Sequence, residues 1–144
     1  MNTIAFPAPQ TPAQALERLC AALPERFRLS EYRTGEIEGA LGQRQVIAFR
    51  DLEVDFGPGW MYSEITLQDG SPEIHVDSEG GAALVAVLSY AFDQRVPVVF
   101  TQMPDRHWTE ACAMTFGERL PGKGSTPVVA ALLALSAYVQ GVSA

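Results

Sequence analysis

Residues Glu73 to Glu79 read EIHVDSE, three carboxylates and an imidazole at every second position around Ile74 and Val76. Along a β-strand successive side chains point to opposite faces, so Glu73, His75, Asp77 and Glu79 would share one side. Such a row has four chemistries open to it. It can ligate a hard cation through oxygen, or a transition metal through the histidine. It can move protons, it can bind a basic partner, or it can be the solvated side of a sheet. Strand geometry lines these groups up but splays them, and the spacing matches neither a calcium loop nor a histidine pair on a helix. Acid/base work needs two groups with separated pKa values in one pocket, which a strand alone does not supply. An electrostatic surface therefore ranks above a metal or catalytic site. No catalytic residue, metal ligand or cofactor is expected, and the chain is read as a non-enzyme.

The same alternation recurs upstream in DLEVDF, where Asp51, Glu53 and Asp55 oppose Leu52, Val54 and Phe56. From Asp51 to Gln94 there are nine acidic residues and no Lys or Arg, so the acidity is regional. Like charges on neighbouring strands repel, a standing cost that a basic partner would relieve. The expected partner-binding face is Asp51, Glu53, Asp55, Glu73, His75, Asp77 and Glu79. A net charge of −7 disfavours direct nucleic-acid binding, which depends on cationic side chains neutralising phosphates. An inhibitor of a host defence protein and an immunity protein against a basic toxin both fit this physics.

A second candidate is PGKGSTP, Pro121 to Pro127. Lys123, Gly124, Ser125 and Thr126 ahead of a helix offer a cation and backbone amides to an anion. The stretch lacks the spacing of a phosphate-binding loop, and Ser125 or Thr126 capping a helix opened by Pro127 explains it as well. The rival function is a small-molecule, nucleotide or metal-binding protein, even an enzyme, using this loop with His75. A structural subunit of a larger assembly is a third reading.

The elements that must carry these residues are partly legible. TPAQALERLCAALP predicts an amphipathic helix with Thr11 as N-cap, Pro12 at its first position and Pro24 past its end. Strands are predicted at about 27 to 33 and 45 to 56, with the stretch between them left open. Asp69-Gly70 predicts a hairpin turn between WMYSEITLQ and SPEIHVD. Gly80 and Gly81 precede an apolar helix, AALVAVLSYAF. Pro104-Asp105-Arg106 predicts a further hairpin between VPVVFTQM and HWTEACAMTF, followed by a helix from Pro127 to about Val139.

Together these give an α+β fold over a single domain, residues 1 to 144. An antiparallel sheet with helices packed on it, built from two β-β-α units in a helix/sheet sandwich, is expected. Two helices that are apolar all round need cover on every side, which predicts a homodimer through them.

Cys20 and Cys112 sit among apolar residues and read as reduced core thiols. No stretch is long and apolar enough to span a bilayer, and the first residues show no signal-peptide pattern, so a cytoplasmic protein without a membrane partner is expected.

The run from Trp108 through Gly122, Gly124 and Thr126-Pro127 into VVAALLALSAYV resembles small phage and prophage proteins, the phage α-β-α sandwich domains and the NinX-like phage proteins. The resemblance covers about the last 40 of the 144 residues. It implies a helix/sheet sandwich and a phage or mobile-element setting. It brings no catalytic residues.

Overall fold

The computed structural model describes residues 11–77, 81–102, 110–119 and 121–141. Helix α1 spans Pro12–Ala22, and the Thr11 hydroxyl accepts a hydrogen bond from the Gln14 amide at 3.1 Å, as the cap reading requires. Strands β1 (Phe27–Leu29), β2 (Arg33–Glu38), β3 (Arg44–Val54), β4 (Met61–Gln68) and β5 (His75–Val76) follow. Helix α2 spans Gly81–Gln94, then come β6 (Val98–Gln102), β7 (Cys112–Phe116), β8 (Gly122–Gly124) and α3 (Pro127–Val139).

The chain is α+β, with helices packed on antiparallel sheets. The sequence left the stretch between the first two predicted strands open, and it is a hairpin: β2 pairs with β3 from Arg33 opposite Phe49 to Glu38 opposite Arg44. The Asp69-Gly70 turn is present, with Gly70 at φ 80°. The Pro104-Asp105-Arg106 turn lies outside the described residues, but the strands on either side of it, β6 and β7, do pair antiparallel.

The strands divide into two sheets rather than one. The first has the order β1-β3-β4-β5, with β2 also on β3; the second is β6-β7-β8. Helices α1 and α2 lie against the first sheet, and α3 packs on both of those helices and on β7 and β8. This places α3 at the centre. Val128, Ala130, Ala131, Leu132, Ala134, Leu135 and Ser136 are all at most 1% exposed, so its all-round apolarity is used within one chain.

The lone hydroxyl in that centre is satisfied. Ser136 donates to the Ala15 carbonyl at 2.8 Å and accepts from the Gln140 side-chain amide at 2.6 Å, joining α3 to α1. Cys20 and Cys112 are free thiols. Burial pushes the Cys20 thiol up to about 12, which keeps it protonated and unreactive at neutral pH.

Candidate functional site

On β3 the residues alternate as the sequence predicts. Leu52 and Val54 are fully buried toward the helices, and Asp51 and Glu53 point to the opposite, outer face. Asp51 stands opposite Thr66, and Thr66 opposite His75, so three strands carry Asp51, Thr66 and His75 in one transverse row. Glu53 stands opposite Tyr62. Between these pairs Ser63, Glu64 and Ile65 of β4 face Leu52 alone, which makes a bulge with Glu64 at φ 61°. The Ser63 hydroxyl donates to the Leu52 carbonyl at 2.6 Å and ties the bulge down. A bulge beside an irregular pairing re-aims the side chains around it, and here it leaves Tyr62 half exposed next to Asp51 and Asp77.

The expected acidic face is only partly what the structure presents. The run without internal cations is compensated from earlier in the chain. Arg33 grips Asp51 with two hydrogen bonds, 2.8 and 3.0 Å, and its guanidinium lies 5.0 Å from the Phe49 ring centroid. Arg28 binds Glu53 at 3.0 Å and stacks 4.0 Å over Trp60. Arg26 binds Asp93 at 2.8 Å. Asp55 is spent locally, accepting from the amides of Gly57 and Gly59. Hydrogen bonding and the charge of Asp51 raise the Arg33 pKa, with smaller contributions from Tyr62 and Asp77. The Tyr62 hydroxyl is pushed up first by burial and then by Asp51 and Asp77.

The row EIHVDSE is shorter than its alternation suggests. Only His75 and Val76 are strand; Glu73 precedes it in a bend, its amide donating to the Ser71 hydroxyl. His75 Nε2 lies 3.4 Å from the same hydroxyl. Asp77 is held beside β4 by its amide, which donates to the Glu64 carbonyl at 3.0 Å. Glu79 lies outside the described residues. Glu73, His75 and Asp77 are exposed, and no ion pair involves either carboxylate among the described residues. No group of three His, Cys, Asp or Glu is placed to hold a metal ion among those residues.

The Lys123 loop has a structural explanation. Gly122 to Gly124 form β8, with Lys123 opposite Ala113 and exposed to solvent. Gly124 is pressed so closely to α3 that a Cβ would lie 2.7 Å from a Val129 methyl. Thr126 caps the helix, accepting from the Val129 amide at 3.4 Å. His75 belongs to the other sheet, so the structure does not join it with Lys123 in one site.

The arginine partners are what sequence reasoning missed. Arg28 and Arg33 lie on β1 and β2, 25 and 18 residues away in sequence from the Glu53 and Asp51 they engage on β3, so no local pattern around Asp51 or Glu53 signals them. Comparison with protein-family models, with curated proteins and with solved structures gives no match.

Proposed function

We propose that the chain is a non-catalytic protein-binding domain that takes a basic macromolecular partner at the β5 end of its five-stranded sheet. The observation that carries this reading is the uneven neutralisation of the outer face. Arginines from β1 and β2 form ion pairs with Glu53 and Asp51, whereas Glu73 and Asp77 are exposed and form none among the described residues, Asp77 lying near Tyr62 and only in the outer field of Arg33. A net charge of −7 adds a long-range field that speeds encounter with a cationic protein. A half-exposed tyrosine beside carboxylates is a good seat for an arginine or lysine, combining a ring face with charge-assisted hydrogen bonds. The Arg33 and Arg28 pairs brace the floor of this surface. An inhibitor of a basic defence protein, or an immunity protein against a basic toxin, encoded by a phage or mobile element, would use such a surface. The cytoplasm suits either role.

The test is a pull-down from cell lysate with the wild type and with Glu73→Lys/Asp77→Lys. The wild type should retain basic proteins at about 0.05 M salt and release most of them by about 0.5 M, since exposed charges are screened over that range. The variant should lose them while its thermal melt stays within a few degrees, both side chains being exposed. Retention of the same proteins by the variant would overturn the assignment.

A further inference from the structure

Three ion pairs of the chain share one construction, an arginine closed between a carboxylate and the face of an aromatic ring. Arg28 binds Glu53 at 3.0 Å and lies 4.0 Å over the Trp60 ring centroid. Arg33 binds Asp51 at 2.8 Å and lies 5.0 Å from the centroid of Phe49. Arg26 binds Asp93 at 2.8 Å and lies 5.2 Å from that of Tyr90. The planar guanidinium accounts for the recurrence. Its edge donates to carboxylate oxygens while its weakly hydrated flat face rests on a ring, whereas a compact, strongly hydrated ammonium gains less from the ring.

The outer face of the five-stranded sheet holds another ring beside a carboxylate, here without an arginine. Tyr62 stands opposite Glu53 on β4 and is 52% exposed. Asp77 is held next to it by its amide, which donates to the carbonyl of Glu64, two residues along β4 from Tyr62. Diagonal neighbours on adjacent strands lie about 7 to 8 Å apart, close enough for one guanidinium to stack on the ring and reach the carboxylate. Among the described residues no cation lies over the Tyr62 ring and no ion pair engages Asp77. Arg33 is spent on Asp51 and feels Asp77 only as the last of its electrostatic contacts.

We infer that Tyr62 and Asp77 form a seat for an arginine side chain of the basic partner, and that Tyr62 is the residue that selects arginine over lysine. The inference rests on the partner-binding reading above and adds which cation that surface takes. The chain fills the same combination of ring and carboxylate with its own arginine three times, and at Tyr62 the partner supplies it. Charge favours this occupant. The Tyr62 hydroxyl feels Asp51, Asp77 and Glu64 on one side of the balance and Arg33 on the other, an excess of negative charge that a partner's cation offsets. Carboxylates alone attract both cations, so the selectivity comes from the ring. Stacking on a half-exposed ring raises affinity about two- to fivefold.

Titration of the full chain with hexa-arginine and, separately, with hexalysine at about 0.05 M salt tests the seat, with affinity read from the amide resonances of Tyr62 and Asp77. The wild type should bind hexa-arginine about two- to fivefold more tightly than hexalysine. Tyr62→Leu should bring hexa-arginine down to the hexalysine level and leave hexalysine nearly unchanged, whereas Tyr62→Phe, which keeps the ring, should keep the preference. The Glu73→Lys/Asp77→Lys variant should weaken both peptides. All these side chains are exposed, so the melts should stay within a few degrees of the wild type. Equal affinity of the wild type for the two peptides, or a preference that survives Tyr62→Leu, would overturn the arginine seat and leave the acidic binding surface standing. Absence of binding by either peptide, or binding untouched in Glu73→Lys/Asp77→Lys, would overturn that surface and the seat with it.

Discussion

Gly122→Val should abolish cooperative folding. A Cβ at this buried position would collide with the Ala134 amide nitrogen and the Ala130 carbonyl oxygen, and would lie 2.8 Å from Ala134 Cα. All three atoms are helix backbone. They cannot swing aside as a side chain would, so β8 must lift off α3. Lifting it also separates Gly124 from Val129, because the two glycines share one short strand. Overpacking against side chains typically costs about 1 to 3 kcal/mol. A clash against fixed backbone, with two bulky methyls, should exceed about 4 kcal/mol, a large share of the 5 to 15 kcal/mol that a domain has in total. Gly122→Ala should act in the same direction to a lesser degree. Circular dichroism and urea unfolding decide it: a valine variant that melts within a few degrees of the wild type would show that the strand does not sit this close.

Phe116→Ala should cost about 3 to 5 kcal/mol, the usual range for emptying a fully buried phenylalanine site. Phe116 is 0% exposed and closes β7, the middle strand of the small sheet. Its ring centroid lies 5.8 Å from that of Tyr138 on α3, and Tyr138 in turn meets Tyr90 of α2 edge-on at 6.5 Å. The phenyl ring is thus one end of an aromatic chain crossing from the small sheet to α2. At about 2 to 4 °C per kcal/mol for a chain of this size, the melting temperature should fall by roughly 10 °C or more. A lower urea midpoint with an unchanged slope would mark this as lost packing rather than a change in the denatured state. A loss under about 1 kcal/mol would contradict a close-packed site.

What the sequence made legible was local. Thr11-Pro12 and Thr126-Pro127 announce their helices because a cap hydroxyl and a proline act on the nearest turn. Asp69-Gly70 announces its hairpin for the same reason. The alternation of DLEVDF gave the two faces of β3 correctly. What the sequence hid was pairing between distant segments. Nothing near Asp51 or Glu53 reveals that Arg33 and Arg28 lie beside them, so an acid-rich segment read as uncompensated is in part neutralised. The division into two sheets was hidden likewise, since hairpin-then-helix units can join edge to edge or stand apart across a helix. Gly122 and Gly124 looked like loop residues because glycine marks a turn more often than a close strand-to-helix approach. The all-round apolar pattern could not say that α3 would be enclosed while α2 kept Phe92 in water.

The β2-β3 hairpin runs out beyond the rest of the fold. Past Gly35 its side chains are exposed on both strands, Leu41 at its tip is 85% exposed, and an Arg44–Glu36 pair at 3.2 Å bridges it in solvent. A two-stranded ribbon with no covered face has little stability of its own. Its outer half can therefore open and close without disturbing the core, an equilibrium uncoupled from global unfolding. Backbone amides from Glu36 to Val46 should exchange with deuterium well before those of Leu52 and Val54 in the same strand, so that one continuous β3 carries both the most transient and some of the most persistent hydrogen bonds in the molecule.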